Sequence, residues 1–161
     1  MKDMELQEMF RCIPEIDPNA GYRYFLGNMD NYKRALFSVL KSIKAKLPIL
    51  GTMLRSEEYE GLRTITQTLR RMFYNIGATE VSALSDQLEV IILKEDIISQ
   101  REALQDYMEQ LASFLKHLEL LLKNFDIMIG DENKVSFGNY DLTKTRESIK
   151  RSSDLLGRKV I

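Results

Sequence analysis

The chain has 161 residues, and its 23 basic and 24 acidic side chains leave a formal net charge of −1. That length suits one domain with a sizeable core, and the balanced charge gives no general attraction to nucleic acid or to an anionic membrane. Cys12 is the only cysteine, and no apolar run is long enough to span a bilayer. We therefore expect a soluble, cytoplasmic protein without an internal disulfide.

The first part of the chain predicts two short helices. Apolar residues recur at helical spacing between Leu6 and Ile13, just before Pro14. Asp17 followed by Pro18 is typical of a helix start, because the aspartate can cap free backbone N–H groups and proline is tolerated in the first turn. We expect this second helix to end at Gly27.

Residues 30–54 carry apolar side chains at helical spacing on both sides of Pro48. The simplest interpretation is one long helix with a kink at Pro48, whose missing backbone N–H costs a hydrogen bond. Two helices that break near Lys46 are the alternative.

The segment from residue 59 to residue 89 predicts two helices joined at Asn75-Ile76-Gly77, where Gly77 can adopt the left-handed conformation that closes a helix. At about 100° per residue, the apolar residues of the first helix gather on one side. That side comprises Leu62, Ile65, Leu69, Met72, Phe73 and Ile76. The opposite side carries Glu60, Arg63, Gln67, Arg71 and Tyr74, with Arg70 at its edge.

A further long helix is expected from Ile97 to about Phe125, with apolar residues that alternate in steps of four and three. Short connections between such helices force neighbours to reverse direction, so the pattern predicts a mostly antiparallel bundle of four helices.

The block Gln67-Thr68-Leu69-Arg70-Arg71-Met72-Phe73-Tyr74-Asn75-Ile76-Gly77-Ala78 resembles the centre of the histidine-phosphotransfer (HPt) domains of two-component phosphorelays. Their pattern there is His-Thr-Leu-Lys-Gly-Ser-Ala-x-Asn-Ile-Gly-Ala. The resemblance extends from about Asp17 to residue 125, although only the central block is specific. It implies an all-α fold, an antiparallel four-helix bundle of HPt type with short N-terminal helices and a C-terminal extension. It also implies a response-regulator receiver domain or a sensor histidine kinase as partner.

Two residues depart from the HPt pattern where the chemistry takes place. Gln67 stands at the position of the phospho-accepting histidine, and an amide nitrogen is neither basic nor nucleophilic at neutral pH. Arg71 replaces a glycine whose small size lets a receiver domain approach closely, whereas Arg70 keeps the charge of the family's lysine. The resemblance therefore implies a pseudo-HPt protein, which keeps the fold and the docking face but carries no phosphate.

We accordingly predict no catalytic residue, no cofactor and no metal site, and a partner-binding set comprising Arg63, Gln67, Arg70, Arg71 and Tyr74. Two alternatives remain open. The protein could transfer phosphate through another acceptor, or it could be a helical adaptor unrelated to phosphorelays, in which these polar residues form only a solvated face.

Other acceptors have little support in the sequence. Thr66 and Thr68 flank Gln67 but lack a neighbouring general base. His117 is the only histidine, and it has neither the lysine nor the glycine at the family's spacing, so we expect a partly exposed structural histidine. One histidine without further ligands also makes no strong zinc site.

Residues 1–126 are thus expected to form the bundle, and residues 127–161 an extension packed on it. This extension could contain a small hairpin or a loop over residues 127–137, followed by a helix from about residue 141 to Gly157. Residues 144–159 hold six basic and two acidic side chains, a net charge of +4. They could dock an acidic partner surface, or they could form a solvated helix on the bundle.

Overall fold

The computed structural model describes residues 2–94 and 96–129. Within them the chain forms helices joined by turns, without any strand, which confirms the prediction of an all-α protein. The six helices are α1 (Asp3–Met9), α2 (Pro18–Tyr24), α3 (Met29–Arg55), α4 (Tyr59–Asn75), α5 (Thr79–Lys94) and α6 (Ile97–Ile129).

The four long helices surround the main core. Helix α4 contacts α3 and α5, and α6 contacts α5 and α3, so that each long helix has two long neighbours. Their apolar stripes point inward and form a single buried cluster, which the N-terminal segment joins through Leu6, Phe10, Ile13 and Ile16. Burial of these stripes is the main contribution to stability, because helices in folded proteins are stabilised mostly by packing of their apolar faces rather than by helix propensity.

Helix α3 continues through Pro48 without interruption. The prediction of one long helix is therefore confirmed, and a break near Lys46 is wrong. Pro48 is exposed, whereas Leu47 and Leu50 beside it are buried in the core. Burial of these two leucines offsets the hydrogen bond that the proline cannot donate.

Helix α2 begins where its capping residues predict. The Asp17 side chain accepts hydrogen bonds from the backbone nitrogens of Asn19, at 3.1 Å, and Ala20, at 3.4 Å, so α2 begins at Pro18 as predicted. Helix α2 ends at Tyr24, slightly before the predicted stop, and the chain then reverses through left-handed residues that include Gly27.

Aromatic side chains connect the two ends of the described chain. Phe10 lies parallel to Tyr32 of α3, with ring centroids 5.4 Å apart, and meets Phe125 of α6 edge-on at 5.7 Å. All three rings are buried. Such ring pairs contribute about 0.5–1.5 kcal/mol beyond the area they bury. Because Phe10 is buried between α3 and α6, the N-terminal segment is part of the core.

Two hydrogen bonds from other parts of the chain hold the turn between α4 and α5. The Tyr32 hydroxyl donates to the carbonyl oxygen of Ile76 at 2.7 Å, and the backbone N–H of Asp17 donates to the carbonyl oxygen of Gly77 at 2.9 Å. Burial raises the pKa of Tyr32. The hydroxyl therefore stays protonated and remains a donor at any physiological pH.

Two glycines allow this close approach. Gly77 has a φ of +90°, which confirms the predicted left-handed conformation. A Cβ atom at this position would collide with the Asp17 carbonyl oxygen. A Cβ atom on Gly21 would collide with the Tyr32 hydroxyl and the Ile76 carbonyl oxygen. The backbone of α2 can thus lie directly against the turn.

Helix α6 extends to Ile129, beyond the predicted end near Phe125. Residues 127–129 are the last residues of α6, whereas the hairpin alternative would place them in a strand. The predicted features of residues 130–161, including the helix that would end at Gly157, lie outside the described residues. No helix in the described part of the chain has the length and hydrophobicity needed to cross a bilayer.

We expect Tyr32→Phe to lower the free energy of unfolding by about 1–3 kcal/mol, because it leaves the buried Ile76 carbonyl oxygen without its donor. Tyr24→Phe, which alters an exposed tyrosine, is the matched control and should change stability by less than about 0.5 kcal/mol. Urea denaturation followed by circular dichroism measures both. Equal stability of the two variants would contradict a stabilising role for this hydrogen bond.

Candidate partner-binding site

Gln67 lies on the flank of α4 that faces α5. Its amide nitrogen donates a hydrogen bond to Oε1 of Glu89 on α5, at 3.1 Å, and the side chain is half-buried. The sequence places Gln67 opposite the apolar stripe of α4, where full exposure would be expected. It is less exposed because the polar edge of α5 packs alongside α4.

Arg63 shares the same carboxylate. Its Nε donates to Oε1 of Glu89 at 2.8 Å, so that one carboxylate oxygen accepts from both Arg63 and Gln67. The Glu89 side chain is only 17 % exposed. The partly desolvated carboxylate needs both donors, and in return it fixes the orientation of two residues of the predicted binding set.

Arg70 forms a looser contact one turn further along α4, an ion pair without a hydrogen bond from its Nε. Its Nε lies 3.2 Å from Oδ1 of Asp86, which forms an ion pair between α4 and α5. Below it, the Ser82 hydroxyl donates to the backbone carbonyl oxygen of Arg70 at 3.0 Å. The guanidinium of Arg70 is therefore paired with Asp86, while the two side chains remain 38 % and 56 % exposed.

Arg71 and Tyr74 point outward instead. Arg71 is exposed and forms no ion pair with other described residues, and Tyr74 is 63 % exposed. The two side chains border a shallow groove of about 310 Å³, which Arg70, Asn75, Ser82 and Asp86 complete. An exposed cation beside an exposed aromatic ring is suited to contact with an acidic protein surface.

The structure divides the five predicted binding residues into two groups. Arg63, Gln67 and Arg70 are engaged with carboxylates of α5, whereas Arg71 and Tyr74 remain available to a partner.

Three polar residues of α5, Ser82, Asp86 and Glu89, contact the polar residues of α4 and could not be identified from the motif alone. Together with Arg63, Gln67, Arg70, Arg71 and Tyr74 of α4, they form one polar face of the protein. A signal for them exists in the sequence. Ser82, Asp86 and Glu89 follow each other at steps of four and three, which places them on one side of α5. In an antiparallel pair they run opposite to the polar residues of α4.

No described side chain near Gln67 is an activated nucleophile. The hydroxyls of Thr66 and Thr68 both donate to backbone carbonyl oxygens of α4, those of Arg63 and Thr64, each at 2.9 Å. Thr66 is in addition buried. Both hydroxyl protons are therefore engaged with the backbone of their own helix.

His117 belongs to α6, not to α4 or α5, and has a structural contact. Its Nδ1 is 2.8 Å from both carboxylate oxygens of Glu15, in the segment that joins α1 to α2. The histidine is partly exposed, as predicted. A carboxylate at this distance would repel an incoming phosphoryl group, so the surroundings do not favour phosphate acceptance.

Within the described residues, no three histidine, cysteine, aspartate or glutamate side chains are grouped so that they could hold a metal ion. The site therefore offers hydrogen bonds, an ionic contact and an aromatic contact. No family model matches the chain, and neither curated proteins nor solved structures give a match.

We expect Glu89→Ala to lower the free energy of unfolding by about 1–2 kcal/mol, because Arg63 and Gln67 lose their common acceptor at a half-buried helix contact. Glu102→Ala, at an exposed position of α6, is the control and should change stability by less than about 0.5 kcal/mol. Chemical denaturation of both variants measures the difference. Similar losses in both would mean that the Glu89 contacts contribute nothing specific.

Proposed function

We propose that the protein is a pseudo-HPt module of a two-component phosphorelay. It binds a response-regulator receiver domain or a sensor histidine kinase and carries no phosphate itself. In this proposal the helices α3–α6 are the antiparallel four-helix bundle of an HPt-type domain. Since receiver domains and kinase catalytic regions lie in the cytoplasm, the proposal also places the protein there.

The observation that carries the proposal is the position and bonding of Gln67. It stands ten residues before the tightly held Gly77, the spacing of the HPt pattern, and its amide nitrogen donates to Glu89. A donating amide has no basic lone pair with which to attack phosphorus. The arrangement therefore supports a face that a partner can recognise but cannot phosphorylate.

The exposed half of the face supports binding of an acidic partner. The active site of a receiver domain is a cluster of carboxylates, which a cationic surface can complement. Arg71 supplies a cation that no described carboxylate balances, and Tyr74 supplies an amphipathic ring of the kind that dominates binding energy in interfaces. A protein with such a face would act as a competitor or as a scaffold for active phosphotransfer proteins.

We expect Arg71→Glu to weaken binding to the cognate receiver domain about tenfold or more, because it places a carboxylate against carboxylates. Arg34→Glu is the matched control, since Arg34 is an exposed arginine on α3, outside the face. Titration calorimetry with each receiver domain of the source organism measures both. Equal weakening by the two variants, or no binding of the natural chain to any receiver or kinase, would overturn the proposal.

We expect acid-labile phosphate on the double variant Gln67→His, Arg71→Gly after incubation with a phosphorylated receiver domain, and none on the natural chain. The variant restores a nucleophilic imidazole and removes the side chain that blocks close approach, and Glu89 remains in place to orient the new ring. Single Gln67→His, which keeps Arg71, should accept less phosphate. Label on the natural chain that disappears with His117→Gln would instead show an active transfer protein.

A further inference from the structure

A second groove lies between α5 and α6, on the other side of α5 from Gln67. Its volume is about 470 Å³. Helix α5 contributes Leu84, Gln87, Leu88 and Ile91, and α6 contributes Ala103, Asp106, Tyr107, Glu109, Gln110 and Ser113. The contacts of Gln67 with Glu89 and of Arg70 with Asp86 use the opposite edge of α5, so the groove and the face are separate surfaces.

The groove has a mixed lining, in which Leu88 and Tyr107 are buried and the acidic Asp106 and Glu109 are exposed at the rim. Leu84, Leu88 and Ile91 form one wall, and Tyr107 is anchored by a buried contact with the Ser85 hydroxyl, at 2.7 Å. Burial raises the pKa of Tyr107, so it stays uncharged.

Asp106 and Glu109 are the charged residues among those that line the groove, and no lysine or arginine lines it. The groove therefore suits an amphipathic helix with basic flanks.

The same chain contains a segment with this character. Within residues 141–157, apolar and small residues recur at helical spacing, and basic residues stand on both sides of that stripe. The stripe consists of Leu142, Thr145, Ile149, Ser152, Leu155 and Leu156. The flanking basic residues are Lys144, Arg146, Lys150 and Arg151.

The length of the intervening chain allows the segment to reach the groove. At about 1.5 Å per residue, the end of α6 at Ile129 lies about 24 Å along the helix from Ser113. Residues 130–140 can span up to about 36 Å when extended. Between Ser113 and Ile129, Leu120 continues the side of α6 that faces the groove and is 43 % exposed, so it offers a further apolar contact.

We propose that residues 141–157 bind as an amphipathic helix in the α5–α6 groove of their own chain. The apolar stripe covers Leu84, Leu88 and Ile91, and the basic flanks meet Asp106 and Glu109. A tether of this length keeps the segment at a high effective concentration, so even modest contacts hold it in place.

Hydrogen exchange on the full chain tests the proposal. We expect amides 142–156 to be protected, and we expect Asp106→Lys with Glu109→Lys to raise their exchange rates roughly tenfold, because the rim then repels the basic flanks. Glu5→Lys with Glu60→Lys, which reverses two exposed charges elsewhere, should leave them within about twofold. Unprotected amides, or protection that the rim reversal does not change, would overturn the proposal.

Cross-linking determines whether the segment belongs to the same chain. In a Cys12→Ser background, Gln110→Cys and Ser152→Cys should be joined within one chain by a short bis-maleimide. Ser38→Cys on α3, paired with Ser152→Cys, is the control and should remain unlinked. A cross-link that forms only between two chains would assign the groove to a second copy and overturn the intramolecular arrangement.

Discussion

The hydrogen bond from the Tyr32 hydroxyl to the Ile76 carbonyl oxygen fixes the turn on which the candidate site depends. Together with the bond from Asp17 to Gly77, it holds the end of α4 and the start of α5 against two other helices. Once this turn is fixed, the register of α4 against α5 follows, because two antiparallel helices diverge from one point. That register brings Glu89 to Gln67 and Asp86 to Arg70. A buried contact between neutral groups thus positions a polar surface some distance away.

Local rules were sufficient to predict several parts of the fold. The cap at Asp17 and the left-handed Gly77 depend on short-range backbone chemistry, which a few neighbouring residues determine. The path of α3 through Pro48 could be predicted because apolar spacing continues on both sides of it. The arrangement of Gln67 was harder to predict. Periodicity gives the direction of a side chain about its own helix, but not how closely a neighbouring helix packs beside it.

Contacts between residues that lie far apart in the sequence are of two kinds. Glu89 and Asp86 could have been inferred by running α5 antiparallel to α4 from Gly77 and matching polar positions. The contact between His117 and Glu15 could not, because it joins residues 102 positions apart in segments whose relative placement depends on the whole core. No local pattern around either residue identifies the other. Contacts of this type follow from the packing of Phe10, Tyr32 and Phe125, which only the folded chain brings together.

The meeting of Phe10 with Phe125 also constrains when the domain can close during synthesis. The first ring leaves the ribosome long before the second, so the N-terminal segment emerges without one of the surfaces that bury it. Until α6 has been translated, Phe10 and its apolar neighbours must remain solvent-accessible or associate elsewhere. Closure is therefore a late step that joins both ends of the described chain, and nascent chains are exposed to chaperones and to aggregation until then.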